Sequence, residues 1–209
     1  MEIETLAVGE IQANCCIVWG PERQAIVMDP GAEPHTIRSF LEERDLTVAA
    51  YMLTHGHVDH ICALADLRDA LPAPVGLHPA DQAWAFSSGN QFPPFYPVPR
   101  KPASIERDLA DGQTWQDGGL VYRVIATPGH SPGSVCFHFP DEQVLFTGDT
   151  LFAGSVGRTD LPGGDSRTLQ RSLGVIAALP DATTVYSGHG PVTDIAQEKA
   201  HNFFLQGFA

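Results

Sequence analysis

The segment His55-Gly56-His57-Val58-Asp59-His60 constrains the chain most, because four side chains that commonly bind metals occupy six consecutive positions. An apolar run at 48–53, typical of a buried strand, precedes the segment, and a predicted helix follows it. Imidazole and carboxylate are ligands that zinc and related metals accept, and catalytic sites leave one position open for water. The segment therefore predicts a metal centre at a strand end. A solvated histidine-rich turn is the alternative.

Three further candidate ligands follow later apolar runs, each in a turn that contains glycine. They are His130 after Gly129, Asp149 after Gly148, and His189 between Gly188 and Gly190. Four ligands from one turn cannot enclose a metal ion, so the remaining ligands must come from other loops. We expect these three residues to reach the first segment from the same edge of the sheets.

The order of the apolar runs predicts an α/β fold. Strands are predicted at 3–8, 14–19, 25–28, 48–53, 75–77, 120–126, 134–139, 144–147 and 184–186, and helices at 34–43, 61–71, 166–179 and 194–205. Each half of the chain has strands followed by helices, and no linker divides the halves. This pattern predicts an αββα sandwich of two mixed β-sheets with helices on the outer faces, in a single domain that spans residues 1–209.

The stretch at about 83–102 differs in composition from the rest of the chain. Aromatic residues alternate there with prolines, which prevent a regular helix or strand. Two interpretations remain open for this aromatic loop: it folds back on the core, or it covers a substrate. The residues concerned are Trp84, Phe86, Phe92, Phe95, Tyr96, Pro93, Pro94, Pro97, Pro99 and Pro102.

Composition excludes several classes of function. The chain has 12 Lys and Arg residues against 25 Asp and Glu residues, a formal charge of −13, which repels nucleic acids and anionic lipids. We therefore expect no nucleic-acid partner and no membrane partner. The apolar runs are too short to span a bilayer, and the acidic start Met1-Glu2-Ile3-Glu4 lacks the features of a secretion signal. The four cysteines form no CxxC pair, so we expect reduced thiols and a cytoplasmic location.

The His-x-His-x-Asp-His segment, followed by separate Gly-His, Gly-Asp and Gly-His turns, resembles the metallo-β-lactamase superfamily over nearly the whole chain. The segments 149–160 and 187–191, with a helix that ends near His201-Asn202, are similar to the short, single-domain glyoxalase II-like enzymes, the hydroxyacylglutathione hydrolase type. The resemblance implies hydrolysis of a thioester such as S-lactoylglutathione by attack of a metal-bridging hydroxide. The implied partner is a small acyl-thiol, and a homodimer remains open.

Transferred by position, the resemblance implies two divalent metal ions, zinc in the first place, with iron or manganese as alternatives. One ion would be held by His55, His57 and His130, and the other by Asp59, His60 and His189, with Asp149 as the bridge. Two adjacent ions need an anionic bridge, and together they lower the pKa of a shared water. Asp59 is also implied as a catalytic residue that handles a proton.

Arg158 lies nine residues after Asp149, where the resemblance implies a basic residue that binds a glutathione carboxylate. An internal ion pair with Asp160 or Asp165 is the alternative role. The pair Arg100-Lys101 could add to an anion pocket, although a solvated loop end is the simpler expectation. The remaining conspicuous residues are predicted to be structural: His35, His78, His138, His201, Cys15 and Cys16. Cys62 replaces a small residue of the family and is expected to pack in the first helical turn.

Other functions are open on the same scaffold. A persulfide dioxygenase with a single iron also resembles this chain, including its Gly157-Arg158-Thr159-Asp160 segment. Lactonase, β-lactamase and phosphodiesterase activities are further alternatives, because a fold does not fix a function. A zinc-stabilised binding protein without enzymatic activity is the alternative least compatible with a metal centre that keeps an open position.

Overall fold

The structure, a computed structural model, describes residues 1–208. Its strands are β1 (Glu2–Val8), β2 (Ala13–Trp19), β3 (Gln24–Met28), β4 (Thr47–Met52), β5 (Val75–Leu77), β6 (Arg107–Asp108), β7 (Thr114–Asp117), β8 (Leu120–Ala126), β9 (Val135–Phe139), β10 (Val144–Gly148), β11 (Leu151–Phe152), β12 (Ser155–Val156), β13 (Thr184–Ser187) and β14 (Thr193–Asp194). Its helices are α1 (Pro34–Glu43), α2 (Val58–Ile61), α3 (Leu64–Ala70), α4 (Pro79–Gln82), α5 (Ser166–Ala177), α6 (Ile195–His201) and a 3-10 helix at Phe203–Leu205.

The strands form two large mixed sheets. The first has the order β1-β2-β3-β4-β5-β6, antiparallel as far as β3 and parallel from β3 onward. The second has the order β14-β13-β10-β9-β8-β7, in which only the β10–β13 pair is parallel. Strands β11 and β12 form a separate hairpin.

Apolar side chains are buried in three layers that define the sandwich. The inner faces of both sheets pack together through residues such as Met28, Met52, Phe137 and Phe146. Helices α1 and α3 pack on the outer face of the first sheet, and helices α5 and α6 pack on the outer face of the second. The amphipathic spacing of α1, which buries Ile37, Phe40 and Leu41, is typical of such an outer helix. The predicted αββα sandwich is confirmed.

The helix predicted at 61–71 is instead two short helices, α2 and α3. The Ala63 N–H donates to the Pro30 carbonyl at 3.1 Å and not to the preceding helical turn, so the helix is interrupted there. Gly31 permits this close approach, because a Cβ atom at Gly31 would lie 1.6 Å from the Asp59 carbonyl oxygen. The break lets α2 carry Asp59 and His60 independently of α3.

The helix predicted at 194–205 also divides, into α6 and the 3-10 helix. Asn202 is extended at the junction, and its amide donates to the Ser155 carbonyl at 3.0 Å and to Glu198 at 2.7 Å. A tertiary contact has therefore replaced a helical turn. The short strands β6, β7, β11, β12 and β14 and helix α4 were not predicted, since elements this short carry no measurable period.

The aromatic loop at 83–102 contains no helix or extended strand, as predicted, and has a single bridge between Phe92 and Tyr96. Within the described residues, no helix is both long enough and apolar enough to cross a bilayer.

Candidate metal centre

The predicted ligands converge at one edge of the sandwich, from loops that follow four different strands. His55 and His57 follow β4, and His130 follows β8. Asp149 directly follows β10, and His189 follows β13. The structure therefore brings these side chains to the same edge of the sandwich, where the sequence predicted that they would meet.

His55, His57 and His130 form the first histidine cluster, with one ring nitrogen of each within 4.8 Å of the others. His57 Nδ1 lies 2.8 Å from His130 Nε2. His55 Nε2 is buried and has no hydrogen-bond partner. A buried nitrogen without a partner is costly in a folded protein, and a metal ion at this point would satisfy it.

Asp59, His60 and His189 form the second cluster. The three distances among His60 Nε2, His189 Nε2 and Asp59 Oδ2 are 3.3, 3.3 and 3.4 Å. A tetrahedral zinc ion with ligand distances of 2.0–2.1 Å requires neighbouring ligand atoms about 3.3 Å apart. The spacing of the second cluster therefore fits a metal ion without rearrangement.

Asp149 lies between the two clusters. Its Oδ2 is 3.5 Å from His130 Nε2 of the first cluster, and its Oδ1 is 3.4 Å from His60 Nε2 of the second. The Oδ1 atom is buried and has no hydrogen-bond partner. Gly188 makes room for this arrangement, since a Cβ atom there would lie 2.2 Å from Asp149 Oδ1. A carboxylate in this position can contact a metal ion on either side.

Hydrogen bonds fix the orientation of the rings. His130 Nδ1 donates to the Arg158 carbonyl at 2.8 Å, which leaves its Nε2 without a proton when the ring is neutral. Thr54 donates to Asp29 at 2.5 Å, so its oxygen is free to accept from His55 Nδ1 at 3.1 Å. In both rings the lone pair of Nε2 is therefore directed towards the cluster. Such hydrogen bonds are typical of histidines that bind metals.

Asp29 is a functional residue that sequence reasoning missed. It is 2% exposed, accepts hydrogen bonds from the Thr54 backbone and side chain, and lies 3.1 Å from His60 Nδ1. The sequence predicted only a turn at Asp29-Pro30-Gly31. The available signal was its position directly after a buried strand of the same sheet, at the edge where the loop of His55 also begins.

Asp81 is a second residue that sequence reasoning missed. Its buried carboxylate accepts hydrogen bonds from the backbone of Gly56 at 2.8 Å and of Gly133 at 2.7 Å, and from Ser131 Oγ at 2.6 Å. It therefore connects the loop of His55 and His57 to the loop of His130. No sequence pattern around Asp81 distinguishes it from a surface aspartate.

Burial sets the protonation of the first cluster. Burial lowers the pKa of His57 to about 3, with a further contribution from neighbouring His130, and lowers the pKa of His55 as well. Both rings are therefore neutral near pH 7, which is the form that binds metals. In the second cluster, burial opposes ionisation, but His60 and His189 still hold the pKa of Asp59 below its ordinary value.

A cleft of about 970 Å³ opens beside the two clusters. Besides residues of the two clusters, its lining includes the aromatic loop, the β11–β12 hairpin and the segment at 158–163. Only the first half of the aromatic loop, up to Phe92, lines the cleft. Arg158 also lines the cleft, but its guanidinium binds Asp160 through two contacts, of 2.6 and 2.7 Å. The ion pair considered from the sequence is therefore present.

The remaining candidates lie away from the clusters. Arg100 binds Asp66 and Asp69 on α3, at 2.7 and 2.9 Å, and does not line the cleft. Cys62 borders a different cavity. None of the metal-ligand clusters found in the described chain contains His35, His78, His138 or His201.

Comparisons with a family profile and with named relatives agree on one protein family. The profile of the metallo-beta-lactamase superfamily matches residues 8–189. A protein of Bacillus subtilis named "Probable metallo-hydrolase YqgX" is 40% identical over the full length of both chains. The "Hydroxyacylglutathione hydrolase GloC" of Haemophilus influenzae is 34% identical, with 98% of each chain covered.

Solved structures agree with these relatives. The BLEG-1 B3 metallo-beta-lactamase is 38% identical, with a TM-score of 0.91, 99% of this chain covered and 100% of that chain. TTHA1623 in a di-iron-bound form is 38% identical, with a TM-score of 0.87 and coverage of 97% and 100%. ETHE1 from Myxococcus xanthus is 31% identical, with a TM-score of 0.81 and coverage of 97% and 84%.

Proposed function

The chain belongs to the metallo-β-lactamase superfamily and is a metallo-hydrolase, and on this premise we propose that it hydrolyses thioesters such as S-lactoylglutathione at a centre of two metal ions. The observation that carries the proposal is the position of Asp149, whose carboxylate lies between two complete ligand clusters and has an unpartnered oxygen. The hydroxyacylglutathione hydrolase among the relatives supports the choice of a thioester.

In this proposal each cluster would hold one divalent ion, most simply zinc, with iron or manganese as alternatives, and the Asp149 carboxylate would serve both ions. The ligands are His55, His57 and His130 for one ion and Asp59, His60 and His189 for the other. When bound, two such ions polarise a carbonyl oxygen and lower the pKa of a coordinated water towards neutrality. The di-iron form of a similar structure makes iron a serious alternative to zinc.

The protein's own groups have three tasks in this reaction. The cleft would hold the thioester carbonyl beside the clusters, because its walls begin at Trp84, next to His57, and at Phe152, next to His189. Asp29 and Thr54 hold the rings of His60 and His55 in place. Asp59 lines the cleft, and we assign the proton-handling role in this reaction to its carboxylate.

The cysteines are unsuited to act as nucleophiles. All four are free, and burial raises the pKa of Cys16 and Cys136 to about 12. Burial also raises the pKa of Cys15 and Cys62. Their thiols therefore remain protonated near pH 7, and thiolate is the reactive form. Four reduced thiols also agree with the proposed cytoplasmic location.

The test is release of thiol from S-lactoylglutathione by metal-loaded protein. We expect measurable release that stops in a chelator and returns when zinc, iron or manganese is restored. Asp149→Ala should lose bound metal and nearly all hydrolysis. Asp141→Ala, a change in the exposed turn between β9 and β10, is the matched control and should behave as the parent protein.

Full activity of Asp149→Ala would contradict the two-metal mechanism. No thiol release from S-lactoylglutathione or from any other thioester by fully metallated protein would contradict the thioester assignment. Oxygen uptake with a persulfide by protein that holds one iron would favour the dioxygenase alternative. Metal analysis of the same samples distinguishes one bound ion from two.

A further inference from the structure

The cleft beside the two clusters has mostly apolar walls and no unpaired cationic side chain among its described residues. From this we propose that the preferred substrate is a thioester with an apolar acyl chain, larger than lactoyl, on a thiol carrier without a pair of carboxylates. The inference rests on the proposed thioester hydrolysis and specifies its substrate.

The two apolar walls begin at the metal ligands. On one side the Trp84 ring lies 5.1 Å from the His57 ring, and Phe92 continues the wall along the aromatic loop. On the other side the Phe152 ring lies 6.0 Å from the His189 ring, followed by Val156 and Leu161. A carbonyl group held at the clusters would therefore direct an attached chain between apolar surfaces.

Part of this surface is available to a ligand. Phe92 is 49% exposed, although it is a large apolar side chain on a loop with several other aromatic residues. An apolar chain that covers this ring binds more favourably, because the chain and the ring both remove apolar surface from water. A small hydroxylated acyl group such as lactoyl covers much less of it.

The wall formed by the aromatic loop is held in place before a substrate binds. The Asn90 amide donates to the Gly56 carbonyl at 2.8 Å and to the Ala85 carbonyl at 2.6 Å, and its oxygen accepts from Val58 N–H at 3.1 Å. The Trp84 indole N–H donates to Asp81 at 3.3 Å. A preformed wall binds an apolar chain without the cost of ordering a loop.

The charges in the cleft do not match glutathione. Glutathione carries two carboxylates and one ammonium group, and an unpaired cationic side chain is the strongest partner for a carboxylate. Arg158 is the one Lys or Arg among the described residues that line the cleft, and both of its contacts go to Asp160. The chain also carries a formal charge of −13, which disfavours anionic substrates.

The main experiment measures kcat/KM of the metal-loaded protein for acetyl, butanoyl, hexanoyl and octanoyl thioesters of N-acetylcysteamine, and for S-lactoylglutathione. Full burial of one additional methylene group of the substrate should raise kcat/KM about fourfold. A cleft that is open on one side should realise about half of that free energy, or about twofold per methylene. We therefore expect the hexanoyl thioester to exceed the acetyl thioester about sixteenfold, and to exceed S-lactoylglutathione.

Two variants connect this preference to the cleft. Phe92→Ala should lower the hexanoyl-to-acetyl ratio about fourfold. Phe95→Ala is the matched control, because Phe95 lies in the same loop and is 50% exposed but borders a different cavity. It should leave the ratio within about twofold of the parent value.

Asp160→Asn tests the charge argument in the opposite direction. Release of the Arg158 guanidinium should raise kcat/KM for S-lactoylglutathione about fivefold relative to kcat/KM for the neutral hexanoyl thioester. A change of about fivefold corresponds to the free energy of one exposed ion pair. No change in that ratio would mean that Asp160 does not limit the use of Arg158, and the charge argument would fail.

The outcomes separate this inference from the proposed function. Hydrolysis of all thioesters without a chain-length preference, or with S-lactoylglutathione preferred, overturns the inference and leaves the thioester hydrolase intact. Failure to cleave any thioester by fully metallated protein overturns both. Equal effects of Phe92→Ala and Phe95→Ala would contradict the assignment of the wall.

Discussion

The Asp81 carboxylate offers the sharpest test of how the first cluster is held together. It accepts hydrogen bonds from Gly56 N–H, which lies between His55 and His57, and from Ser131 Oγ and Gly133 N–H in the loop of His130. The carboxylate is fully buried, so water cannot replace a lost bond. The change to make is Asp81→Asn, which keeps the shape and removes the charge.

The expected loss of stability follows from the hydrogen bonds that the two carboxylate oxygens accept. Oδ2 accepts from Gly56 and Ser131, and Oδ1 accepts from Gly133 and Trp84. In either orientation, the asparagine NH₂ group faces a backbone N–H that it cannot satisfy. Hydrogen bonds to charged groups contribute about 1.5–3 kcal/mol each, so we expect a loss of about 2–4 kcal/mol in the free energy of unfolding. For a domain of this size, this corresponds to a decrease in Tm of about 5–15 °C.

The same change should reduce metal affinity at the first cluster alone. Loss of a residue that orients metal ligands typically weakens metal binding about 10–100-fold. Zinc or cobalt titration of Asp81→Asn should therefore show one site close to the parental affinity and one weakened site. Thermal unfolding of the same samples gives the change in stability.

Asp117→Asn is the matched control for this prediction. Asp117 is also a buried carboxylate, but it binds Arg107 and Tyr122 at 2.6 Å each, away from the clusters. This variant should lose comparable stability and retain both metal affinities. The reasoning is refuted if Asp81→Asn is destabilised and still binds two ions with parental affinity, because Asp81 would then support the fold and not the ligands.

Three further predictions concern stability. At a free metal concentration of about 1,000 times Kd, each bound ion stabilises the folded state by about 4.1 kcal/mol. Chelation should therefore lower Tm by about 8–16 °C for each ion that is removed, and an unchanged Tm would contradict a metal-stabilised fold. Asn202→Ala should cost about 2–3 kcal/mol in denaturant unfolding, because the hydrogen bonds to Ser155 and Glu198 are lost, whereas the exposed Gln206→Ala should cost less than about 0.5 kcal/mol. Partial burial opposes ionisation of Glu106, but Ser104, the Val75 N–H and Arg68 hold its pKa below the ordinary value. Its stabilising effect is therefore present above about pH 4.5 and lost as the pH falls through the folded pKa. Glu106→Gln should accordingly be less stable than the parent in chelated protein at pH 7, with the difference disappearing near pH 3, and a constant difference would exclude this linkage.

The sequence allowed the candidate ligands and the sandwich to be predicted because both depend on local patterns. His55, His57, Asp59 and His60 are close in the chain, and His130, Asp149 and His189 each follow an apolar run in a glycine-containing turn. The strands carry enough alternating or continuous apolar residues to define a period. Their ends coincide in space once the two sheets pack face to face.

The errors occur where a distant residue decides the local structure. The helix predicted at 61–71 divides because the Ala63 N–H bonds to Pro30, more than thirty residues earlier in the chain. The helix predicted at 194–205 divides because Asn202 bonds to Ser155. Neither partner leaves a trace in the periodicity of the helix itself. These two hydrogen bonds become apparent only in the three-dimensional structure.

The same reasoning explains why the supporting residues of the metal centre escaped prediction. Asp29, Asp81 and Asn90 are buried polar side chains, and each bonds to a segment that carries metal ligands, from a position that is distant in sequence. A single aspartate or asparagine is far too common to signal such a role. The candidate ligands are therefore encoded locally, while the orientation of their side chains depends on hydrogen bonds from residues that are distant in sequence. Substitutions at these three positions should consequently alter metal affinity even though every metal ligand is retained.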